Sequence, residues 1–269
     1  MSRPLVHYMA VAVSARLADE GAQVALVLLA LERTNSAALG GALVGALLVP
    51  HVLAAPLMGA LADRVPHRRS LYAVCLGGVG AALVCCAEFT GRVPPWVVLV
   101  IAAAGGCCGP MVTGGLTGLL RELVPESQRT RAYSFDSMSY NFSQVVGPAG
   151  TGVLVEVAGA PTATTALGMV AVGAGVLAFK FPIGPKRTRV DKSLARAVFE
   201  VMVQGASLLW RERSLRAVTL STTMGEAGIG ALPIAAALLA DEYGSLSASG
   251  ALVSVFAVGS LFGSLLYAR

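Results

Sequence analysis

Eight stretches of this chain are long and apolar enough to cross a lipid bilayer, and no other feature limits its fold as severely. A hydrocarbon core about 30 Å thick needs about 20 mostly apolar residues in a helix. The runs lie near Leu5 to Leu31, Ala37 to Ala62, Leu71 to Ala87, Trp96 to Leu120, Ala132 to Ala158, Thr162 to Phe181, Leu215 to Ala240 and Leu246 to Ala268. In lipid each backbone polar group has to be satisfied internally, which runs of this length achieve as helices. The expected fold is therefore all-α, a polytopic membrane protein.

Composition agrees with this reading. Of 269 residues, 55% are hydrophobic and 13% charged, about half the charged share of a soluble domain. The 31 glycines suit helices that pack closely inside lipid. The formal charge of +5 would fit nucleic acid if it formed a patch, but the basic residues are spread over short loops, so no nucleic-acid partner is expected. Five cysteines, Cys75, Cys85, Cys86, Cys107 and Cys108, all fall inside apolar runs. They read as buried thiols without a disulfide framework, and their spacing is not that of a zinc site. No metal and no cofactor is implied. The N-terminus has no small-residue cleavage site and acidic residues interrupt its apolar run, so the first span is expected to be retained.

Basic loops resist translocation, which fixes orientation. With a cytoplasmic N-terminus, 17 of the 20 Lys and Arg fall on the cytoplasmic side, only Arg33 and Arg92 lie outside, and Arg16 is left within the first span. Both termini are then cytoplasmic, and the expected location is the plasma (inner) membrane. One long connection, Pro182 to Ser214, divides the chain into residues 1–182 with six spans, a linker over 183–214, and residues 215–269 with two spans. Within the linker Leu194, Val198, Val201, Met202, Leu208 and Leu209 recur at mostly helical spacing. This describes a helix on the membrane surface with Trp210 at headgroup depth, or else a plain linker helix. GALV at Gly41 to Val44 returns at Gly250 to Val253, an echo of the kind that internal repeats leave in transporters.

Charges inside lipid have to face protein or water, because each costs about 2.5 to 3.5 kcal/mol at a helix centre on insertion scales. Arg16, Asp19, Glu20 and Gln23 share one helical stripe, where Arg16 can pair with either acid. The stripe either lines a solute cavity or ties two helices together, and Asp19 is the first candidate to carry a proton or ion. Asp136, Ser139, Tyr140 and Ser143, with Asn141 and Gln144 beside them, mark the fifth span, where Asp136 either faces the interior or sits near the cytoplasmic edge, and Glu226 stands alone in the seventh. The third and sixth spans hold no charge in their central stretches, as lipid-facing helices should. His51, beside Pro50, is a packing histidine or a proton relay.

The run GALADRVPHRR, Gly59 to Arg69, resembles the signature loop between the second and third spans of the major facilitator superfamily. Gly59, Leu61, Ala62, Asp63, Arg64, Arg68 and Arg69 match; Pro66 replaces a glycine and His67 a usual arginine. The resemblance implies that Asp63 pairs with a basic residue at the end of the fourth span, for which Arg121 is the candidate. Gly59 would let backbones approach closely. In the fifth span GPAGTG, Gly147 to Gly152, resembles the family's antiporter motif: Gly147, Pro148 and Gly152 match, while Thr151 does not. RELVPESQRTRA, Arg121 to Ala132, and the segment around Gly205 to Arg216 resemble the family's corresponding connections. The family's arginine early in the fourth span is absent from WVVLVIAAAGGCCGP, Trp96 to Pro110, and a mechanism relying on it is not supported.

The resemblance implies a bundle of six helices plus the first two helices of a second bundle, and a secondary transporter that works by alternating access. Its partners would be a small-molecule solute, protons or another coupling ion, and membrane lipid. Proton-driven efflux is what the glycine and proline motif implies. Two further readings remain: a non-transporting shortened homologue, or part of a twelve-helix transporter whose remaining helices another chain could supply. An intramembrane hydrolase would need a nucleophile beside a base, and only His51 is deep, so no enzyme is expected.

Overall fold

A computed structural model describes residues 3–183, 194–242 and 247–267, and regular structure among them is helical throughout. The helices are α1 (Arg3–Thr34), α2 (Ala37–Arg64), α3 (Arg68–Phe89), α4 (Pro95–Cys108), α5 (Gly114–Leu123), α6 (Arg129–Ala158), α7 (Ala160–Ala178), α8 (Leu194–Arg211), α9 (Arg213–Ile229), α10 (Leu232–Glu242) and α11 (Ser247–Tyr267). Four segments among the described residues are long and apolar enough to cross a membrane: Ala37–Arg64, Arg68–Phe89, Pro95–Leu123 and Ala160–Ala178. At 32 and 30 residues α1 and α6 have the length as well, but they carry the charged residues that the bundle buries.

Two of the expected spans are not single helices. The fourth breaks after Cys108, where Gly109–Met111 forms a short 3-10 turn and Thr113 leaves helical geometry at φ −91° and ψ −100°. Pro110 has no N–H to give to Gly106, so the ladder cannot run on unbroken. The seventh expected span, Leu215 to Ala240, is divided between α9 and α10 at Gly230 and Ala231. Pro233 removes the bond to Ile229 and glycines loosen the turn before it.

α1 is the most buried element: each residue from Val24 to Ala30 is enclosed, and α6, α7 and α2 pack around it. The largest helix contact joins α3 to α7. A Cβ at Gly168 would lie 2.7 Å from the Gly80 carbonyl oxygen, and one at Gly175 would lie 2.8 Å from that of Ala73. This corrects the expectation that the third and sixth spans simply face lipid. Each has a lipid-type face, exposing Val74 on α3 and Met169 and Val176 on α7, but the opposite faces lock together through small residues. α11 docks on α6: the Ser254 hydroxyl donates to the Val145 carbonyl at 2.5 Å, and a Cβ on Gly250 would collide with the Pro148 carbonyl. α10 meets α1 and α2. α8 leaves Phe199, Met202, Leu208 and Trp210 exposed.

At the end of the bundle away from the loop 65–67, the carboxylate of Glu32 accepts from the Ala160 N–H at 2.7 Å. That N–H opens α7 just after Gly159, whose φ of +82° suits glycine, so Glu32 caps a positive helix terminus with a negative charge. Glu32→Ala is expected to lower stability by about 0.5–1 kcal/mol, read as a small drop in thermal midpoint in detergent. An unchanged midpoint would show the cap to be idle.

Candidate functional site

The polar stripe of α1 leads to a charged centre that three helices share. Arg16 and Asp136 form an ion pair at 2.8 Å with side chains 2% and 4% exposed. The guanidinium also donates to the Asp136 carbonyl at 3.1 Å, to the Thr117 hydroxyl at 3.2 Å and to the Ser139 hydroxyl, and it lies 3.5 Å from the centre of the Tyr140 ring. The carboxylate accepts from the Tyr8 hydroxyl at 2.5 Å and from the Thr117 hydroxyl at 2.8 Å. Each carboxylate oxygen is thereby held, as a buried charge requires. Among the described residues the buried Arg16 Nε and the Ser143 hydroxyl have no hydrogen-bond partner.

This corrects the expected pairing of Arg16 within α1. Its acid comes from α6, because α1 and α6 lie against one another and Asp136 is enclosed there, whereas Asp19 and Glu20 are only half-buried. The carboxylate of Asp19 has no hydrogen-bonding or ion-pairing partner among the described residues. Gln23 is half-buried on the same helix. Asp136, Ser139, Tyr140 and Ser143 share a face of α6 at helical spacing, but Asn141 and Gln144 are exposed outside the cluster. At 100° per residue Asn141 points about 140° away from Asp136 and Gln144 about 80°. Glu226 lies on α9, and its side chain is outside the described residues.

A second cluster closes the end of the bundle that holds the loop 65–67. Arg68 is nearly buried; its Nε donates to the Ala62 carbonyl at 2.6 Å and its guanidinium bridges Asp63, at 3.1 Å, and Glu122. The cation seen on Asp63 is thus Arg68 and not the expected Arg121. Neighbours on a helix diverge by about 100°, so only one of Arg121 and Glu122 faces Arg68, and it is the acid. Arg121 instead donates from Nε to the Tyr133 hydroxyl at 3.3 Å. Arg64 is half-buried and Arg69 exposed. Gly59 does not serve close packing, since a Cβ there would meet nothing within 4 Å. It lines a cavity of about 430 Å³ between α2 and α5, together with His51, Met58, Thr113, Gly118 and Glu122. His51 reaches the Thr113 hydroxyl at 3.3 Å.

The glycine and proline motif sits at two helix crossings. A Cβ at Gly147 would fall 3.1 Å from the Gly21 nitrogen of α1, and the Pro148 carbonyl faces Gly250 of α11. Gly152 is buried on the same helix. Phe181, past the end of α7, packs against His7, Tyr8 and Tyr72 at ring-centre distances of 5.4, 6.5 and 6.4 Å.

Tyr8, Thr117 and Glu122 are parts of these clusters that sequence reasoning missed. Thr117, the polar interruption in Gly-Gly-Leu-Thr-Gly-Leu-Leu, offered a signal, since a hydroxyl inside an apolar run needs a partner. Tyr8 gave none, because tyrosines are common near span ends.

The family model described as Major Facilitator Superfamily matches residues 8–269. An uncharacterized MFS-type transporter, y4rN, of Sinorhizobium fredii is 29% identical over 220 residues, covering 81% of this chain and 53% of that protein. Macrolide efflux protein A of Streptococcus pyogenes is 25% identical over 209 residues, covering 75% and 50%. Among solved structures, that of a D-xylose-proton symporter aligns with a TM-score of 0.67 at 16% identity, over 97% of this chain and 67% of that one. A structure of peptide transporter POT aligns at 0.55 and 15%, over 89% and 51%. The chain spans about half the length of the curated relatives it matches.

Proposed function

The chain belongs to the Major Facilitator Superfamily, and from that premise we propose that it takes part in moving a small solute across a membrane by alternating access, with Asp19 carrying the coupling proton. The observation that carries this reading is the division of labour on α1. Arg16 is committed to Asp136, while Asp19, three residues on, has no described partner. Arg16 and Asp136 are held by each other inside the bundle, whereas a carboxylate that no cation holds can take up and release a proton as water reaches it from one side and then the other.

Efflux of a small hydrophobic molecule is the direction and cargo proposed, on the strength of the Gly147, Pro148 and Gly152 motif and of the similarity to a macrolide efflux protein. Glu20 and Gln23 extend the stripe toward the solute route, and Glu226 is the acid that the second part of the chain brings to this proposal. Residues 1–182 form one half of the transporter in this proposal, and 215–269 begin the other. A full cavity wall then takes complementary helices, from further sequence or from another chain. A non-transporting homologue is the second reading. The basic loops point to cytoplasmic termini in a plasma membrane, and the exposed Phe199, Met202 and Trp210 to a membrane-surface role for α8.

Proteoliposomes loaded with a panel of hydrophobic fluorescent dyes test the reading under an imposed pH gradient. The parent chain is expected to move at least one dye in a gradient-dependent way, and Asp19→Asn to lose that dependence while keeping its thermal midpoint. Gradient-driven movement that survives Asp19→Asn removes Asp19 from the role. A folded parent that moves no dye removes the reading that these residues transport by themselves.

A further inference from the structure

We propose that α5 is a hinged half-helix that couples the Arg16–Asp136 pair to the Asp63–Arg68–Glu122 cluster, and that Thr117 is the positioning residue that sets it. Four independent observations meet in this one element. The fourth span is broken just before it, over Gly109 to Thr113, with Gly114 and Gly115 following, so α5 is joined to α4 by a turn and not by a continuous hydrogen-bond ladder. Its face carrying Gly114 and Gly118 borders the 430 Å³ cavity, and a Cβ at either glycine would meet nothing within 4 Å. There is room for α5 to move toward α2.

The other two observations are its tethers. On one face Thr117 donates to Asp136 Oδ2 at 2.8 Å and accepts from Arg16 at 3.2 Å, which ties α5 to α6 and α1. Five residues further along, Glu122 holds Arg68, and Arg68 holds Asp63. The Tyr72 hydroxyl donates to the Gly115 carbonyl at 2.7 Å and marks the end nearest the break. A helix of ten residues is stiff over this length, so a change that frees Thr117 displaces Glu122 as well. The charged centre and the loop cluster then share one moving part. Packing alone needs neither the break nor the empty space behind it.

This inference goes beyond the transport reading, and its test reads α5 directly. The full chain, with its five cysteines replaced by alanine and Gly118→Cys added, is placed in lipid nanodiscs, and the rate of maleimide labelling at position 118 is measured. Thr117→Val, which keeps the shape and removes the hydroxyl, is expected to change that rate about fivefold or more. Thr117→Ser, which restores the hydroxyl, is expected to return it to the parent value. Glu122→Gln is expected to change it in the same direction, with a clearly non-additive effect when combined with Thr117→Val. Labelling unaffected by Thr117→Val, a Ser variant that behaves like Val, or strictly additive effects would each overturn the coupling. Should Thr117→Val fail to fold, Thr117→Ala takes its place with the same criteria. Dye transport plays no part in the readout, so these outcomes stand apart from the fate of Asp19.

Discussion

Asp136→Ala is expected to lower the stability of the folded chain by about 3–5 kcal/mol, and Arg16→Ala by a similar amount. The reason lies less in the strength of the pair than in what its loss leaves behind. With the carboxylate gone, a guanidinium whose side chain is 2% exposed keeps its charge without a counter-ion, and the Tyr8 and Thr117 hydroxyls lose their acceptor. Water is not at hand to replace either. Combining Arg16→Met with Asp136→Leu should recover most of the loss, because an apolar pair of similar volume carries no desolvation penalty. Arg92→Ala is the contrast. That residue pairs with Glu88 at 2.5 Å, but both side chains are more than half exposed, and the expected change is below about 1 kcal/mol. Unfolding in detergent measures all four, and Arg16→Met and Asp136→Leu made singly complete a double-mutant cycle with their combination. A combined variant as damaged as the sum of its parts would mean that the pair is not a self-contained unit.

The part of this architecture that was legible in the sequence is the part that hydropathy and helical spacing control. Long apolar runs locate helices because lipid offers the backbone no other partner, and α1, α2, α3, α6 and α7 lie where the runs lie. The same logic marks Arg16 as a residue that must face the interior, and leaves Asp136 either there or at the cytoplasmic edge; the structure encloses both. It does not say that the two face each other, because a stripe fixes a direction on one helix and nothing about which neighbour stands there. Arg16 had two acids within reach on its own helix and uses a third, 120 positions away. The breaks at Gly109–Thr113 and Gly230–Ala231 were hidden for a related reason: Pro110 and Pro233 sit in runs whose apolar character continues on both sides. Proline is also tolerated in membrane helices, as Pro50, Pro56 and Pro148 are here without a break. The loop motif singles out Asp63, Arg68 and Arg121 in the sequence, but the wiring depends on whether Arg121 or Glu122 turns inward. That is a matter of helix phase, which the break before α5 resets.

Glycine shows the same limit, and it supplies the second large effect. Gly168→Leu is expected to destabilise the chain by about 3 kcal/mol, the upper end for overpacking, while Gly173→Leu, five residues along the same helix, should be neutral or stabilising. A Cβ at Gly168 would stand 2.7 Å from the Gly80 carbonyl oxygen and 2.7 Å from a Val84 methyl, and the oxygen is backbone that cannot turn aside. The clash is mutual, since a Cβ at Gly80 would meet the Gly168 carbonyl. Leucine would force α3 and α7 apart along the largest helix contact among the described residues, and in lipid little hydrophobic gain offsets the lost packing. At Gly173 a Cβ would meet nothing within 4 Å, and leucine there gains the roughly 0.8 kcal/mol by which it exceeds glycine as a helix former. Composition is blind to the difference, because both glycines lie in one small-residue stretch. Thermal or denaturant unfolding of the two variants in detergent decides the matter. Equal damage at both positions would trace the effect to leucine in this helix as such, and the α3–α7 approach would then not be what holds the two spans together.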